Sequence, residues 1–199
     1  MTGNDDKFRN GFPVIRLSLD MNLQPILEND LVRVRPLRPE DFDMLFQVAK
    51  DPLIWEQHPA YDRYKKAVFS ILFNESIASL GALGVEEKST NQIIGSSRYK
   101  RLDTSDRAIE IGWSFLSRDK WGGQYNKSFK GLMIDHALRQ VDHVVFYVGV
   151  DNIRSQRAVE KLGGVLIEGE NLMYLARQDK NTLSYVISNA QYLSNCQSE

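Results

Sequence analysis

Four groups of residues in this 199-residue chain could do chemistry. The first is the loop Trp121-Gly122-Gly123-Gln124-Tyr125-Asn126-Lys127-Ser128, which opens a predicted helix. A helix start exposes backbone N–H groups that lack intrahelical partners, at the positive end of the dipole, and so can hold a phosphate. The same glycines would serve a plain strand-to-helix turn that needs positive φ, and the octapeptide alone leaves both readings open. Lys127-Ser128 matches the end of a nucleotide-binding P-loop, but that motif needs a glycine before the lysine and four residues between its glycines. Asn126 stands in the glycine position, so the P-loop reading is set aside. The second group is Glu110, the one carboxylate on a strand face otherwise made of Ala108, Gly112 and Ser114, opposite Ile109, Ile111, Trp113 and Phe115. Small residues leave space for a ligand, and a carboxylate beside that space can act as a general base; a solvated strand glutamate would give the same pattern. The third is Asn152-Ile153-Arg154-Ser155, where Asn152 and Ser155 either cap a short helix or face a ligand. The fourth is the connector Trp55-Glu56-Gln57-His58-Pro59, followed by Tyr61. His136 and His143 are too scattered among potential ligands to suggest a metal site.

These groups need a frame. Val32 and Val34 alternate with Arg33 and Arg35 as a first, half-exposed strand, after a turn at Glu28-Asn29-Asp30. Pro39-Glu40-Asp41 begins a helix carrying Phe42, Leu45, Phe46 and Ala49, stopped by Asp51-Pro52. A second helix is predicted from about Asp62 to Ser79, with Tyr64, Ala67, Val68, Ile71 and Leu72 on one face. Ala82–Glu86, Ile93–Arg101 and Ala108–Leu116 read as an antiparallel meander. The helix after the glycine loop aligns Phe129, Leu132, Met133, His136 and Ala137. Val144–Val148 is a continuous apolar run, as in a strand buried on both faces, and a helix from about Ile153 to Leu162 follows it, closed by Gly163-Gly164. Val165–Leu175 and Leu183–Ser188 are predicted to pair before a polar tail. No repeat, linker or low-complexity segment divides the chain, so one domain spans 1–199, with polar ends near 1–12 and 190–199.

Composition bounds the function. With 25 Lys plus Arg against 26 Asp plus Glu, the formal charge is −1, and no block of like charges suggests a nucleic-acid or membrane surface. Cys196 is the only cysteine, which excludes an internal disulfide and any Cys-based zinc cluster. The polar start lacks the apolar core of a secretory signal, and no stretch is long enough to span a bilayer. A cytoplasmic protein is the expectation.

Taken together, the span from Ala108 to Gly164, with the glycine loop and the Asn152–Gly163 segment one strand apart, resembles the GNAT superfamily of acetyl-CoA-dependent N-acetyltransferases. The branch of ribosomal-protein N-terminal acetyltransferases is especially similar. Weaker similarity takes in Leu31–Leu37 and Tyr185–Ser188. The resemblance implies an α/β (α+β) fold whose mainly antiparallel central sheet carries helices on both faces and splays between its fourth and fifth strands. It further implies that acetyl-CoA is the cosubstrate, with no metal. The ends of the strand at Ser114, Phe115 and Leu116 would pair with the pantetheine arm. The loop of Trp121, Gly122, Gly123, Gln124, Tyr125, Asn126 and Lys127 would wrap the pyrophosphate, and Asn152 would hold the arm. Ser155 matches a hydroxyl near the sulfur, and Trp55, His58 and Tyr61 lie in the connector that covers the acceptor side. Two departures from the family pattern stand out. Trp121, Gln124 and Asn126 occupy the positions where the superfamily usually has Arg or Gln, Gly, and Gly or Ala. Val159 stands where many members carry a tyrosine general acid.

The implied reaction is direct attack of a neutral primary amine in a ternary complex, with a backbone N–H near Ser114 or Phe115 stabilising the oxyanion, a donor worth about 10² to 10³ in rate. Glu110 is the candidate base and Ser155 the candidate replacement for the tyrosine. An α-amine near pKa 8 is neutral about a tenth of the time at pH 7, a lysine near 10.4 less than about a thousandth, which favours a protein or peptide N-terminus over a lysine side chain. Small-molecule amines stay open as acceptors, and a homodimer is among the open oligomeric states. Two rival functions remain: a catalytically silent acyl-CoA-binding or protein-interaction module, and phosphate or nucleotide binding by the glycine loop alone.

Overall fold

The computed structural model describes residues 21–189 and Tyr192; the polar start at 1–12 and Cys196 lie outside the described residues. Eight strands form one sheet: β1 (Leu27–Glu28), β2 (Val32–Pro36), β3 (Ala82–Glu87), β4 (Gln92–Leu102), β5 (Ser105–Leu116), β6 (His143–Gly149), β7 (Val165–Leu166) and β8 (Thr182–Ser188). Their order across the sheet is β1-β2-β3-β4-β5-β6-β8-β7, and every pair is antiparallel except β5 with β6. Among the described residues, four α-helices flank it: α1 (Phe42–Ala49), α2 (Lys66–Ala78), α3 (Gln124–Leu138) and α4 (Ile153–Glu160). On one face Phe129, Met133, Ile134 and Ala137 of α3 and Val159 of α4 join Val34, Val85, Tyr99, Ile111, Val144 and Phe146 of the sheet in the main core. On the other, α1 and α2 pack Leu45, Ala49, Phe69, Leu72 and Phe73 with Trp55 and Phe115.

The predicted fourth and fifth strands are β5 and β6, numbered one higher because Leu27–Glu28 forms a short strand of its own. They pair only at Ala108–His143, Ile109–Val144 and Glu110–Val145. Beyond that point β5 stays with β4 and β6 stays with β8, so the two strands part and open the sheet.

Four expectations shift. Helix α2 begins at Lys66, not Asp62, because residues 62–65 form a turn closed by the Lys65 N–H to the Asp62 carbonyl at 2.9 Å. Its buried face is Phe69, Leu72, Phe73 and Ser76, while Ile71 is 62% exposed. The phase is set by aromatic contacts, since Phe69 meets Phe42, Phe46, Phe73 and Phe115 at centroid distances of 5.6–6.3 Å. The buried stripe of α3 is Phe129, Lys130, Met133, Ile134, Ala137 and Leu138, which leaves Leu132 and His136 at its margin. The strand predicted over Val165–Leu175 keeps only Val165–Leu166, and past Gly169 (φ +92°) the chain coils through tight turns at Glu170–Leu175.

The fourth shift lies in β5. Trp113 has φ +53°, and the register with β4 slips between Ser96 and Arg98, which marks a β-bulge. The bulge breaks the simple alternation expected along the strand. Ile109 and Ile111 face α3, but Trp113 and Phe115 pack with α1 and α2, and Ser114 turns to the α3 face. Glu110, Gly112 and Trp113 therefore share one side of the opening, with Ser114 on the other.

Candidate active site

The opening between β5 and β6 is built from backbone. Past Glu110, the side of β5 that faces β6 has no strand partner among the described residues, so the peptide groups around Ser114–Leu116 border a gap. Unpaired strand edges bind extended partners through main-chain hydrogen bonds. The Leu116 carbonyl is already engaged, accepting from Trp121 Nε1 at 3.0 Å.

The glycine loop delivers the start of α3 to this gap. Gly122 sits at φ +71°, which favours glycine, and a Cβ at either Gly122 or Gly123 would meet nothing within 4 Å. Gly123 is the N-cap, and no side chain caps the helix, so its first N–H groups face open space. Tyr125 turns away and donates to Glu87, whose carboxylate also accepts from Lys120 at 2.8 Å and Thr90 at 2.9 Å. Gln124 and Lys127 are exposed and Asn126 half-buried. Trp121 lies against the Arg154 guanidinium, 4.1 Å from its ring centroid, and so braces the loop rather than facing the gap.

Helix α4 begins at the far side. Asn152 is buried, and its Oδ1 accepts from the Ser155 N–H at 3.2 Å, an N-cap that leaves its amide N–H groups unassigned. Val159 is buried in the main core. Arg154 ties the elements together: its N–H donates to Gln57 Oε1 at 3.0 Å and its Nη2 to the Ile54 carbonyl at 2.8 Å. The α1–α2 connector is thereby docked onto the mouth of the opening, with Pro59 where a Cβ added at Gly149, at the end of β6, would meet it at 3.5 Å.

On the face shared with that connector, Glu110 is 4% exposed. Its Oε1 meets Arg177 Nη2 at a long 3.5 Å and its Oε2 has no partner. Burial pushes its carboxyl above the ordinary range, against the opposing charges of Arg177, Lys100 and Arg98. Trp55 donates its Nε1–H to the Ala49 carbonyl at 2.7 Å and packs with tilted rings 5.0 Å from Phe115, a core position in edge contact with His58. His58 is pulled down to about 4 by burial and by the Arg63 charge, so it is neutral near pH 7. Its Nδ1 accepts from the Ala60 N–H at 2.9 Å. Tyr61 is 66% exposed and lies outside this cluster. Among the described residues, no group of three His, Cys, Asp or Glu side chains could hold a metal ion, and no helix is long and apolar enough to cross a membrane.

The acetyltransferase (GNAT) domain family matches residues 32–165, a span that contains the bulge, the opening, the glycine loop and α4. The chain belongs to the GNAT acetyltransferase family. No curated protein matches it significantly, whereas many solved structures do. A probable GNAT-family acetyltransferase from Chromobacterium violaceum superposes with a TM-score of 0.73 at 19% identity, over 94% of this chain and 99% of that one. RimJ of Mycobacterium smegmatis, solved with CoA-disulfide, gives 0.59 at 17% identity over 83% and 89%. Spermidine N-acetyltransferase of Vibrio cholerae, solved with CoA and spermine, gives 0.58 at 15% identity over 83% and 99%. At such identities the likeness is one of fold.

Two residues of this GNAT domain were missed in the sequence. Lys130, fully buried in α3, donates to Ser97 Oγ at 3.2 Å and to Ser114 Oγ, with the rings of Phe129 and Phe146 at 5.3 and 5.5 Å. It therefore reaches across the opening from the β5 bulge to β6. Burial alone brings its ammonium down to about 7. Its spacing from Met133, Ile134 and Ala137 already placed a lysine on an apolar stripe, and that was the available signal. Arg98 is 8% exposed, lies against Trp113 with Cζ 3.3 Å from the ring centroid, and has no partner for its Nε. The β4–β5 register, which sets Arg98 opposite Gly112, brings it beside Glu110.

Proposed function

We propose that this GNAT domain is an acetyl-CoA-dependent N-acetyltransferase that acetylates a primary amine, such as a peptide or protein N-terminal α-amine, by direct attack in a ternary complex. The observation that carries the reading is the parting of β5 and β6 immediately beyond Glu110, which sets a buried carboxylate with one unpartnered oxygen at the apex of an opening. Acetyl-CoA supplies a thioester-activated acetyl group when bound. The uncapped start of α3 and the empty space over Gly122 and Gly123 fit its pyrophosphate, with the backbone from Gly122 to Lys127 as donors. The β5 edge at Ser114, Phe115 and Leu116 and the free amide of Asn152 suit the pantetheine arm.

Proton traffic divides between the two faces of the sheet. Glu110, raised by burial, takes the proton from the incoming amine on the connector side, directly or through water. On the α3 side, Lys130 takes the place of the acid that Val159 cannot provide, since an ammonium near pKa 7 can release a proton at neutral pH. Ser155, whose backbone serves the helix cap, keeps its hydroxyl as a second candidate for that role. The cosubstrate pool and the family's chemistry fit a cytoplasmic enzyme, as a monomer or homodimer.

The test is thiol release from acetyl-CoA over a panel of peptides, amino acids, polyamines and aminoglycosides, with Glu110→Gln as the control. Acceptor-dependent release that the variant loses supports the reading. Tight CoA binding with no turnover on any amine would instead identify a silent acyl-CoA-binding module, and ATP binding as tight as CoA binding would point to the glycine loop alone.

A further inference from the structure

The connector side of the opening holds a charge that acetyl transfer does not by itself require. Arg98 is more than nine-tenths buried, its Nε has no hydrogen-bond partner, and no described carboxylate forms an ion pair with it. Trp113 lies against the guanidinium, 3.3 Å from its Cζ to the ring centroid, and the coplanar N–H donors of a guanidinium can grip an oxyanion through two hydrogen bonds. Arg98 stands opposite Gly112 on the neighbouring strand, and Glu110 is two residues before Gly112 on the same face. Such diagonal neighbours have backbones about 7–8 Å apart. The two side chains feel each other's charge yet do not close into a salt bridge, and each keeps a buried atom unpartnered. Arg63 adds a second half-buried guanidinium nearby, 5.6 Å over the Trp55 ring and 3.1 Å from His58 Nε2.

A buried carboxylate and a buried guanidinium held just out of reach of one another make a receptor for a molecule that carries both charges. We infer that the acceptor is an amine bearing an oxyanion, a carboxylate or a phosphate, within a few bonds of the reacting nitrogen: Glu110 receives the ammonium and Arg98 the oxyanion. This inference rests on the acetyltransferase reading and narrows its acceptor. A ligand of this kind offers a partner to both orphan atoms and, where the oxyanion is a carboxylate, brings no net charge into the site. A polyamine would instead press a second cation against Arg98 and Arg63. A lysine side chain within a protein carries no oxyanion close to its amine. The oxyanion could be the α-carboxylate of a free amino acid, the side chain of an acidic first residue in a peptide, or a phosphate.

The experiment uses matched pairs that differ only in the oxyanion: phenylalanine and phenethylamine, Asp-initiated and Ala-initiated tripeptide amides, phosphoethanolamine and ethanolamine, with spermidine as the counter-example. Affinity is measured by calorimetry on the CoA-bound protein, and kcat/KM by thiol release. At least one oxyanion-bearing member should exceed its partner by about a hundredfold, and the preferred pair identifies the source of the oxyanion. Arg98→Gln should collapse that ratio to near one while CoA affinity is retained, and Arg98→Lys should restore part of it. Equal or tighter binding of the neutral members or of spermidine overturns the inference, as does a loss in Arg98→Gln that falls equally on both members of a pair. So does a CoA-bound protein that takes none of the amines. Failure to bind CoA would refute the acetyltransferase reading instead, and the same pairs titrated into the CoA-free protein would still judge Arg98.

Discussion

Two buried clusters of opposite charge lie on the same face of the sheet and are built in opposite ways. Under α1, Arg35 donates to Asp41 Oδ2 and Oδ1 at 2.7 and 2.8 Å and to Glu86 at 2.7 Å, while Asp41 also accepts from the Arg38 N–H at 2.8 Å. At the opening, Arg98 and Glu110 are as deeply buried and leave atoms unpartnered. In the first cluster, burial pushes Asp41 up but the hydrogen bonds from Arg35 and Arg38 outweigh it, so its carboxyl falls below the usual range. In the second, burial wins and Glu110 rises. A charge whose partners are all present holds a helix start to a strand. A charge whose partner is missing is available to a ligand.

The sharpest way to separate the two is to neutralise one carboxylate in each. Glu110→Gln should lower kcat/KM for acetyl transfer by about 10² to 10⁴, the range for a positioned base, with the melting temperature unchanged or raised because a buried carboxylate held by one long contact is replaced by a neutral amide. Asp41→Ala should do the reverse. Removing Asp41 leaves Arg35 with Glu86 alone and the Arg38 N–H without its acceptor, and should cost about 1.5–3 kcal/mol in denaturant unfolding, with the acceptor KM of the folded fraction unaltered. If both variants lost stability alike, Glu110 would be a structural residue and the contrast would fail.

Lys130 is an intermediate case, a buried cation satisfied only by hydroxyls, and pH exposes it. Its folded value of about 7 lies below the unfolded value of about 10.4. Between those limits the unfolded chain holds the extra proton, so this residue makes stability rise with pH, by about 1.4 kcal/mol per unit; below the lower limit both states are protonated and the slope vanishes. Lys130→Met should be more stable than the wild type at pH 7 and should lack that part of the slope, as read from urea midpoints across the window. Equal slopes would mean that the ammonium is solvated, and its role as proton source would fall with it.

How much of this was legible in the sequence follows from which forces are local. The alternation of Val32 and Val34 with charged neighbours, the apolar run of β6 and the positions of Gly122, Asn152 and Gly163 are each set by nearby residues, and the strands and turns stand where those patterns put them. The phase of α2 was not legible, because Phe69 rather than Ile71 is chosen by rings that come from α1 and β5. The faces of β5 were misread for a similar reason. A bulge at a tryptophan leaves no mark in an alternating pattern, yet it sends Trp113 to the connector side and Ser114 to Lys130. Glu110 was found by its own type, but Arg98 becomes its neighbour only through register across β4 and β5.

The smallest expected effect belongs to the glycine loop, where the comparison repeats in miniature. Glu87 is fully used, accepting from Lys120, Tyr125 and Thr90, and its carboxyl is held down at about 2, chiefly by the Lys120 hydrogen bond and then by Tyr125 and Thr90. By the rule drawn above it is structural: it pins the first turn of α3 so that the uncapped N–H groups keep their aim. Tyr125→Phe removes one of three donors and leaves the others, so it should lower the melting temperature only slightly. If the phosphate contacts run through the backbone as proposed, CoA affinity should drop by about tenfold at most, read by calorimetry, with the acceptor KM unmoved. A large loss of acceptor affinity in this variant would show that the loop and the connector are coupled through Trp121 and Arg154, and that the two sides of the opening do not act independently.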